Sequence, residues 1–503
     1  SSGNCGDQAP AVSFAEGTTG ADGAAVRVSN RAAGGNGGGL HRNAGAFATV
    51  AGRGGDGDAT AVGVATGNSE VVVDSSAGGG TGGRVFGDGP GAGGTGGNSQ
   101  AHAEGRNAGD RDVEVDVRAG GGRGGDARGA GAVGGVGGVG RATAFGESTH
   151  GGDVQVEVLS TGGSGGAGDA GADGGDGTDS VANNDAAGST AGLLRLIQTS
   201  RAGGGGRAWG GGVAGGGGDS SSILVAENPG GGALHGIVSS SGGTGGDAAN
   251  GSVQGGDGGD GYVEAQLTNI GAVTLTIYSA GGSGGDGLLP GSPGVGTIGH
   301  IFAESTTGEL VDVDARIVGG SGGSPLTGEL AGGANGADLS LFDAVDGFTT
   351  GDLILRQTAV GGGGGSVSRL PDGDGGDGGD AYSSLKREKN VGSLTVISRA
   401  EGGSPGQGGS GVYGVAGEST AIASATNTGG AASAGVGAIG AFRGDAHANA
   451  TARTTGDGHD VNVFGTLSGP FEFQRDDINA IGGGATADGF STSTGIAEGN
   501  STV

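Results

Sequence analysis

Short runs in which apolar and polar residues alternate recur along the chain, and each leads into a pair of glycines. Val26-Arg27-Val28 precedes Gly34-Gly35, Val71-Val72-Val73 precedes Gly78-Gly79, and Val113-Glu114-Val115-Asp116-Val117 precedes Gly120-Gly121. The same order returns at Val154 to Val158 before Gly162, at Leu194 to Ile197 before Gly203, and at Val273 to Ile277 before Gly281. A period of two predicts β-strands with one buried face, so that Val113, Val115 and Val117 point inward while Glu114, Asp116 and Arg118 meet water. From Gly34 to Gly402 the glycine pairs return ten times with a mean period of about 41 residues, within the range of known repeat units.

Each copy continues with a second glycine segment, as in Gly93-Gly94-Thr95-Gly96-Gly97 and Gly375-Gly376-Asp377-Gly378-Gly379, and then with an Ala-rich strand such as Gln100-Ala101-His102-Ala103-Glu104 or Arg141-Ala142-Thr143-Ala144-Phe145. Turn residues follow at Gly67-Asn68, at Asn107 to Asp110 and at Asn228-Pro229-Gly230-Gly231, where a tight hairpin into the next Val-rich strand is expected. The division predicted is an N-terminal half-repeat over 1–23, ten tandem repeats over 24–428, and a degenerate β-rich cap or subunit-linking segment over 429–503.

Composition changes what can cover the strands. Of 503 residues 138 are glycine, only 33% are hydrophobic and 3% aromatic, so a conventional core of large side chains is not available. Such composition with a net charge of -29 is also that of disordered chains, but the regular placement of Val, Ile and Leu argues for order. The G-G-x period matches the three residues per turn of a polyproline-II-type helix, which puts every x on one side and bare glycine backbone on the other two. Such a helix has no internal hydrogen bonds, so neighbouring helices must satisfy its N–H and C=O groups. The expected fold is therefore all-β plus polyglycine II with negligible α-helix: a layered slab of β-hairpins packed on a layer of polyglycine II helices. Twenty strands at the usual spacing would make it about 100 Å long.

Charge and chemistry narrow the function. The 53 acidic residues against 24 basic ones repel nucleic acid, and no apolar run is long enough to span a bilayer. The sequence contains no Met, which suits a processed chain released to the cell exterior or surface after removal of a signal segment. The single Cys5 permits no internal disulfide and is a candidate for a lipid or an intermolecular bond. Gly255 to Val263 matches the calcium nonapeptide, as do stretches beginning at Gly174, Gly281 and Gly375, which makes Asp179, Asp260, Asp286 and Asp380 calcium candidates. Calcium rolls need such nonapeptides in direct tandem, and these are isolated, so no cofactor is expected. No G-K-[ST] follows the glycines, the seven histidines are scattered and no catalytic constellation stands out, so no enzyme is expected. Asn250, Asn449 and Asn500 satisfy N-x-[ST] and would carry glycans, and Arg443-Gly444-Asp445 has the form of an adhesion tripeptide.

The Gly-Gly-x-Gly-Gly runs at 78–83, 134–138, 255–259 and 375–379 resemble polyglycine II proteins: snow-flea-type antifreeze proteins, the polyglycine sandwich of phage tail-fibre adhesins and the glycine-rich part of PE-PGRS proteins. The resemblance covers residues 34 to 415, implies a local conformation and transfers no functional residue. Strand-like segments at both ends suggest a homopolymer joined through them, with Val12, Phe14, Phe471, Phe473, Phe490 and Val503 as assembly residues. The function expected is a self-assembling subunit of an extracellular filament, sheath or surface layer; the alternative is an adhesin or ice-binding slab acting as a monomer.

Overall fold

The computed structural model describes residues 8–502 apart from 42–48, 88, 250–251, 327–331, 368–372, 410–411, 442–443, 458, 469–473, 484–486 and 495–496. Side chains are described as far as 466, those of 455–457 also excepted. The protein is all-β: 53% of it lies in strands, and no helix occurs among the described residues.

The Val-rich segments form one 13-stranded sheet, here the valine sheet, running from Ala25–Ala33 through Glu70–Gly78, Val113–Gly120 and Val154–Thr161 to Ala487–Thr494 in chain order. Every neighbour is parallel: Val71 lies opposite Val113, Val113 opposite Val154 and Val154 opposite Leu194. The Ala-rich segments stack the same way in three shorter sheets, the first made of Ala11–Thr19, Gly57–Ala65, Ser99–Asn107, Gly140–Ser148 and Ala186–Thr190. The expected β-hairpins do not form. Ser99–Asn107 pairs with Gly140–Ser148, one turn of the chain further on, and not with Val113–Gly120 that follows it.

The physical reason is coverage. A hairpin would put both strands in one sheet with their apolar faces on the same side, whereas stacking like with like makes two sheets whose apolar faces cover each other. The residues read as hairpin turns carry the chain from one sheet to the other. At the corner after Ser99–Asn107, buried Asn107 donates from Nδ2 to the Arg111 carbonyl at 2.6 Å and accepts the Gly109 N–H on Oδ1 at 2.9 Å. Asn228 and Asn427 repeat this pattern. With strands divided between two layers, thirteen at the usual spacing span about 60 Å rather than 100 Å.

The core is thin and matched residue by residue. Val71, Val73, Val113, Val115, Val154 and Val156 are buried against Ala59, Ala61, Ala101, Ala103, Ala142 and Ala144. A glycine row, Gly63, Gly105 and Gly146, crosses the first alanine sheet in register. A Cβ on Gly105 would stand 2.8 Å from Val115 Cγ2 and 2.9 Å from Val113 Cγ1. Further along, the arrangement inverts: the small residue is Gly236 in the valine sheet and the large one is Leu267 opposite it.

The strands thus pack on one another, and the glycine segments likewise bond to one another, instead of lying as a layer over the strands. Within a segment, alternate glycine N–H groups donate to the equivalent segment one turn on, as Gly79 to Gly120 and Gly82 to Arg123, each at 2.9 Å. The next glycine donates across to the facing segment. Gly80 bonds Gly55, Gly97 bonds Gly80, Gly122 bonds Gly97 and Gly138 bonds Gly122, all at 2.8 Å, and the series runs unbroken to Gly417. A Cβ at any of these inward glycines would overlap a carbonyl, that of Gly80 for Gly122. Thr178 and Ala337 take the place of such glycines in this series, and Ala334 does so in the neighbouring series through Gly323 and Gly365, so the spacing yields locally.

The alanine face breaks twice, at Asn184 (φ 53°) and Asp343 (φ 48°), two left-handed residues that are not glycine. At the first break Ser180–Asn183 pairs forward with Ser220–Glu227 while Ala186–Thr190 pairs backward with Gly140–Ser148. A fully buried glutamine of the valine sheet sits under each break. Gln198 Oε1 accepts the Asp185 N–H at 2.8 Å while its Nε2 donates to the Ile223 carbonyl at 2.9 Å. Gln357 does the same for the Ala344 N–H at 3.1 Å and the Leu341 carbonyl at 3.3 Å.

Candidate functional site: open edges and carboxylate ladders

The acidic excess has a structural place. The glycine ladders use two N–H groups of every three, and the residue at x keeps an outward N–H. A carboxylate or amide from the preceding turn takes it: Asp179 accepts from Asp219, Asp219 from Asp260 and Asp260 from Val295, each at 2.8 Å. Asn98, Asp126, Asp176 and Asp377 form further rungs of this kind. Of the calcium candidates, Asp286 accepts the Ser324 N–H and Asp380 the Glu418 N–H, both at 2.8 Å, so each of the four has one carboxylate oxygen on a neighbouring turn. Among the described residues no group of three or more His, Cys, Asp or Glu side chains converges as a metal site would require. The sequence pattern does not show this ladder role, because it depends on the turn-to-turn register that brings each acceptor beside the next turn's N–H.

Arginines offset the carboxylates locally. Arg53 holds the Asp56 carboxyl below its ordinary value through a side-chain hydrogen bond at 2.7 Å, against the opposing effect of burial. At the loop ends Arg84 and Arg123 both reach Asp126, and Arg207 reaches Asp247.

Of the assembly candidates, Val12, Phe14 and Phe490 fall in strands at sheet ends. Ala11–Thr19 is the first strand of the first alanine sheet, and among the described residues no strand pairs with its far side. Its Ala11 N–H donates to Asp56 at 2.8 Å; alternation therefore turns the N–H and C=O groups of Val12, Phe14 and Glu16 to the open side. Val12 and Phe14 are 76% and 64% exposed. At the other end Ala487–Thr494 and Ala497–Thr502 are the last strands of their sheets, and Phe490 lies opposite Phe464 in the backbone register. Phe471, Phe473 and Val503 lie outside the described residues, as do Cys5, Asn250 and Arg443. Asn449 stands half-buried in mid-strand between Ile422 and Asp477, and Asn500 pairs with Asp477 in the strand Ala497–Thr502. No helix is long and apolar enough to cross a membrane among the described residues.

Comparison with known proteins finds no family model, no characterised protein and no solved structure that matches this chain. Among the described residues the arrangement offers open rows of backbone donors and acceptors at both ends of one stack of parallel strands, which is the chemistry of strand addition.

Proposed function

We propose that the chain is a secreted, non-enzymatic structural protein of the polyglycine II kind, built on a tandem repeat of about 41 residues. Copies join end to end through their terminal strands into an extracellular filament, sheath or surface layer. The observation that carries this reading is the edge at Ala11–Thr19, exposed, apolar and unpaired among the described residues, at the opposite end of the stack from Ala487–Thr494 and Ala497–Thr502. All strands run parallel, so the last turn of one copy can continue into the first turn of the next without reversing direction. Support for polyglycine II comes from the three-residue rhythm of the glycine bonds: one to the next turn, one across, and one N–H outward.

The test is electron microscopy of the full chain beside a variant lacking 485–503. Uniform fibres from the first and monomers from the second are expected. Fibres unchanged by the deletion would remove the C-terminal strands from the assembly, and a full chain that stays monomeric at high concentration would overturn the polymer.

A further inference from the structure

The outward face of the first alanine sheet carries a closed ion-pair cluster toward one end and a more loosely paired polar group toward the other. Toward the ends of its strands, Arg106 is ion-paired with Glu104 and Glu147 and lies 4.7 Å over the Phe145 ring. Toward the strand starts, Asp58, Thr60 and Gln100 make no side-chain hydrogen bond among the described residues, His102 Nδ1 meets Thr143 Oγ1 at 2.9 Å, and Arg141 comes no closer than 3.6 Å to Asp185. Their polar groups line one hollow of about 360 Å³.

Arg141 also borders a second hollow of about 510 Å³, where the sheet opens at its first break. The opening shows in the ladder. Gly96 bonds Val136 at 2.9 Å, but one turn later Gly137 reaches Asp176 at only 3.4 Å, and the regular pairing resumes at Ala144 to Asp185, 2.8 Å. Val139 and Val181 wall this slot, and two buried polar groups line it. Thr178 Oγ1 is buried with no hydrogen-bond partner, and the Asp185 side chain is 3% exposed.

We propose that the two hollows form one continuous groove that binds an extended, uncharged oligosaccharide across the strands from Gly57–Ala65 to the slot. The chemistry selects the class. A cation would meet Arg141, and an anion would meet Asp58, Asp179 and Asp185, whereas sugar hydroxyls both donate and accept and so satisfy guanidinium, carboxylate and amide groups together. Exposed valines suit the C–H faces of the rings. The groove runs perpendicular to strands spaced about 4.8 Å apart, so that Asp58, Gln100 and Arg141 in one row and Thr60, His102 and Thr143 in the next offer a polar group at each step to an extended chain. This reading is independent of the filament, since the face concerned is not a sheet edge.

The test uses the full chain with neutral gluco-, manno-, galacto- and xylo-oligosaccharides, from monosaccharide to hexasaccharide, followed by calorimetry. At least one series should bind, with affinity rising with length. Arg141→Ala and Asp58→Ala should each weaken it at least about tenfold, the loss of a charge-assisted contact. Arg106→Ala, in the self-satisfied rows, should leave binding unchanged, and circular dichroism should show all three variants folded. Absence of binding across the panel, or binding that survives Arg141→Ala, would overturn the proposal.

Discussion

At the scale of single residues, the fold depends on the size of a few side chains more than on how apolar they are. Gly105 is in van der Waals contact range of two valines where even a methyl would stand 2.8 and 2.9 Å away. Gly105→Ala should therefore destabilise by about 1–3 kcal/mol, the usual consequence of overpacking, and Val115→Ala in the same chain should recover part of that loss. Hydrogen exchange of the amides in Ser99–Asn107 and Val113–Gly120 would read both effects locally. Asp185 is the opposite case, a group whose charge is out of place. Burial raises its pKa above the ordinary 3.8, against the lowering effects of the Asn183 N–H and Arg141. A raised carboxyl favours its protonated form in the folded chain, so its contribution is fully present below the unfolded value and is lost as pH rises through the folded one. Asp185→Asn should thus increase the denaturant midpoint at neutral pH and leave it unchanged near pH 3; a neutral-pH midpoint at or below that of the parent would refute the account. Nothing in the sequence marks Asp185 among its many carboxylates, because its burial comes from the break in the strand around it.

At the scale of elements, strand positions were legible and strand partners were not. The period-two valines place Val113–Gly120 and Val154–Thr161 correctly, and the alanine runs do the same for Ser99–Asn107 and Gly140–Ser148. Hairpin and coil demand the same alternation and much the same turn residues. The difference lies in whether a sheet's apolar face has a second sheet to cover it, and no local signal carries that. The two breaks were equally hidden, although Gln198 and Gln357, polar residues at inward positions, were their trace. Val225 donates to Asn184 Oδ1 at 2.6 Å and Lys386 to Asp343 Oδ1 at 2.7 Å, so the two sites are equivalent. At the second, Arg387 lies 12% exposed in the gap and donates to the carbonyls of Asp343 and Val345 at 2.7 and 2.6 Å. By register the corresponding residue at the first is Ala226, whose methyl has no donor to offer the carbonyls of Asn184 and Ala186. Arg387→Ala should destabilise by about 1–3 kcal/mol through stranded acceptors, while Ala226→Arg should stabilise by up to about 1 kcal/mol. Thermal unfolding of the two variants checks both signs, and a destabilising Ala226→Arg would show that the sites differ in shape.

At the scale of the whole molecule, a stack of parallel strands has two ends that differ from its middle only in lacking a neighbour. Strands in mid-stack, outside the two breaks of the alanine face, have both rows of backbone groups paired, so a full-length open row is concentrated at the ends. The proposed polymer therefore calls for a variant that blocks an end without touching the interior. Phe14 meets that need. Its side chain is on the exposed face, and its N–H points away from Gly57–Ala65, so replacing it with proline removes no bond within the chain. Proline in a central strand would disrupt the ladder, but on this open side it deletes one donor that only an incoming strand would use. Phe14→Pro should keep the circular dichroism spectrum and melting temperature of the parent while abolishing elongation from that end. Mixed with parent chains at low ratio, it should shorten fibres in proportion to its fraction, because a copy docked by its free end leaves a blocked one. Phe14→Tyr, which keeps the N–H and the ring, should elongate normally. Fibres of parental length from Phe14→Pro would place the junction elsewhere and separate the edge from the assembly.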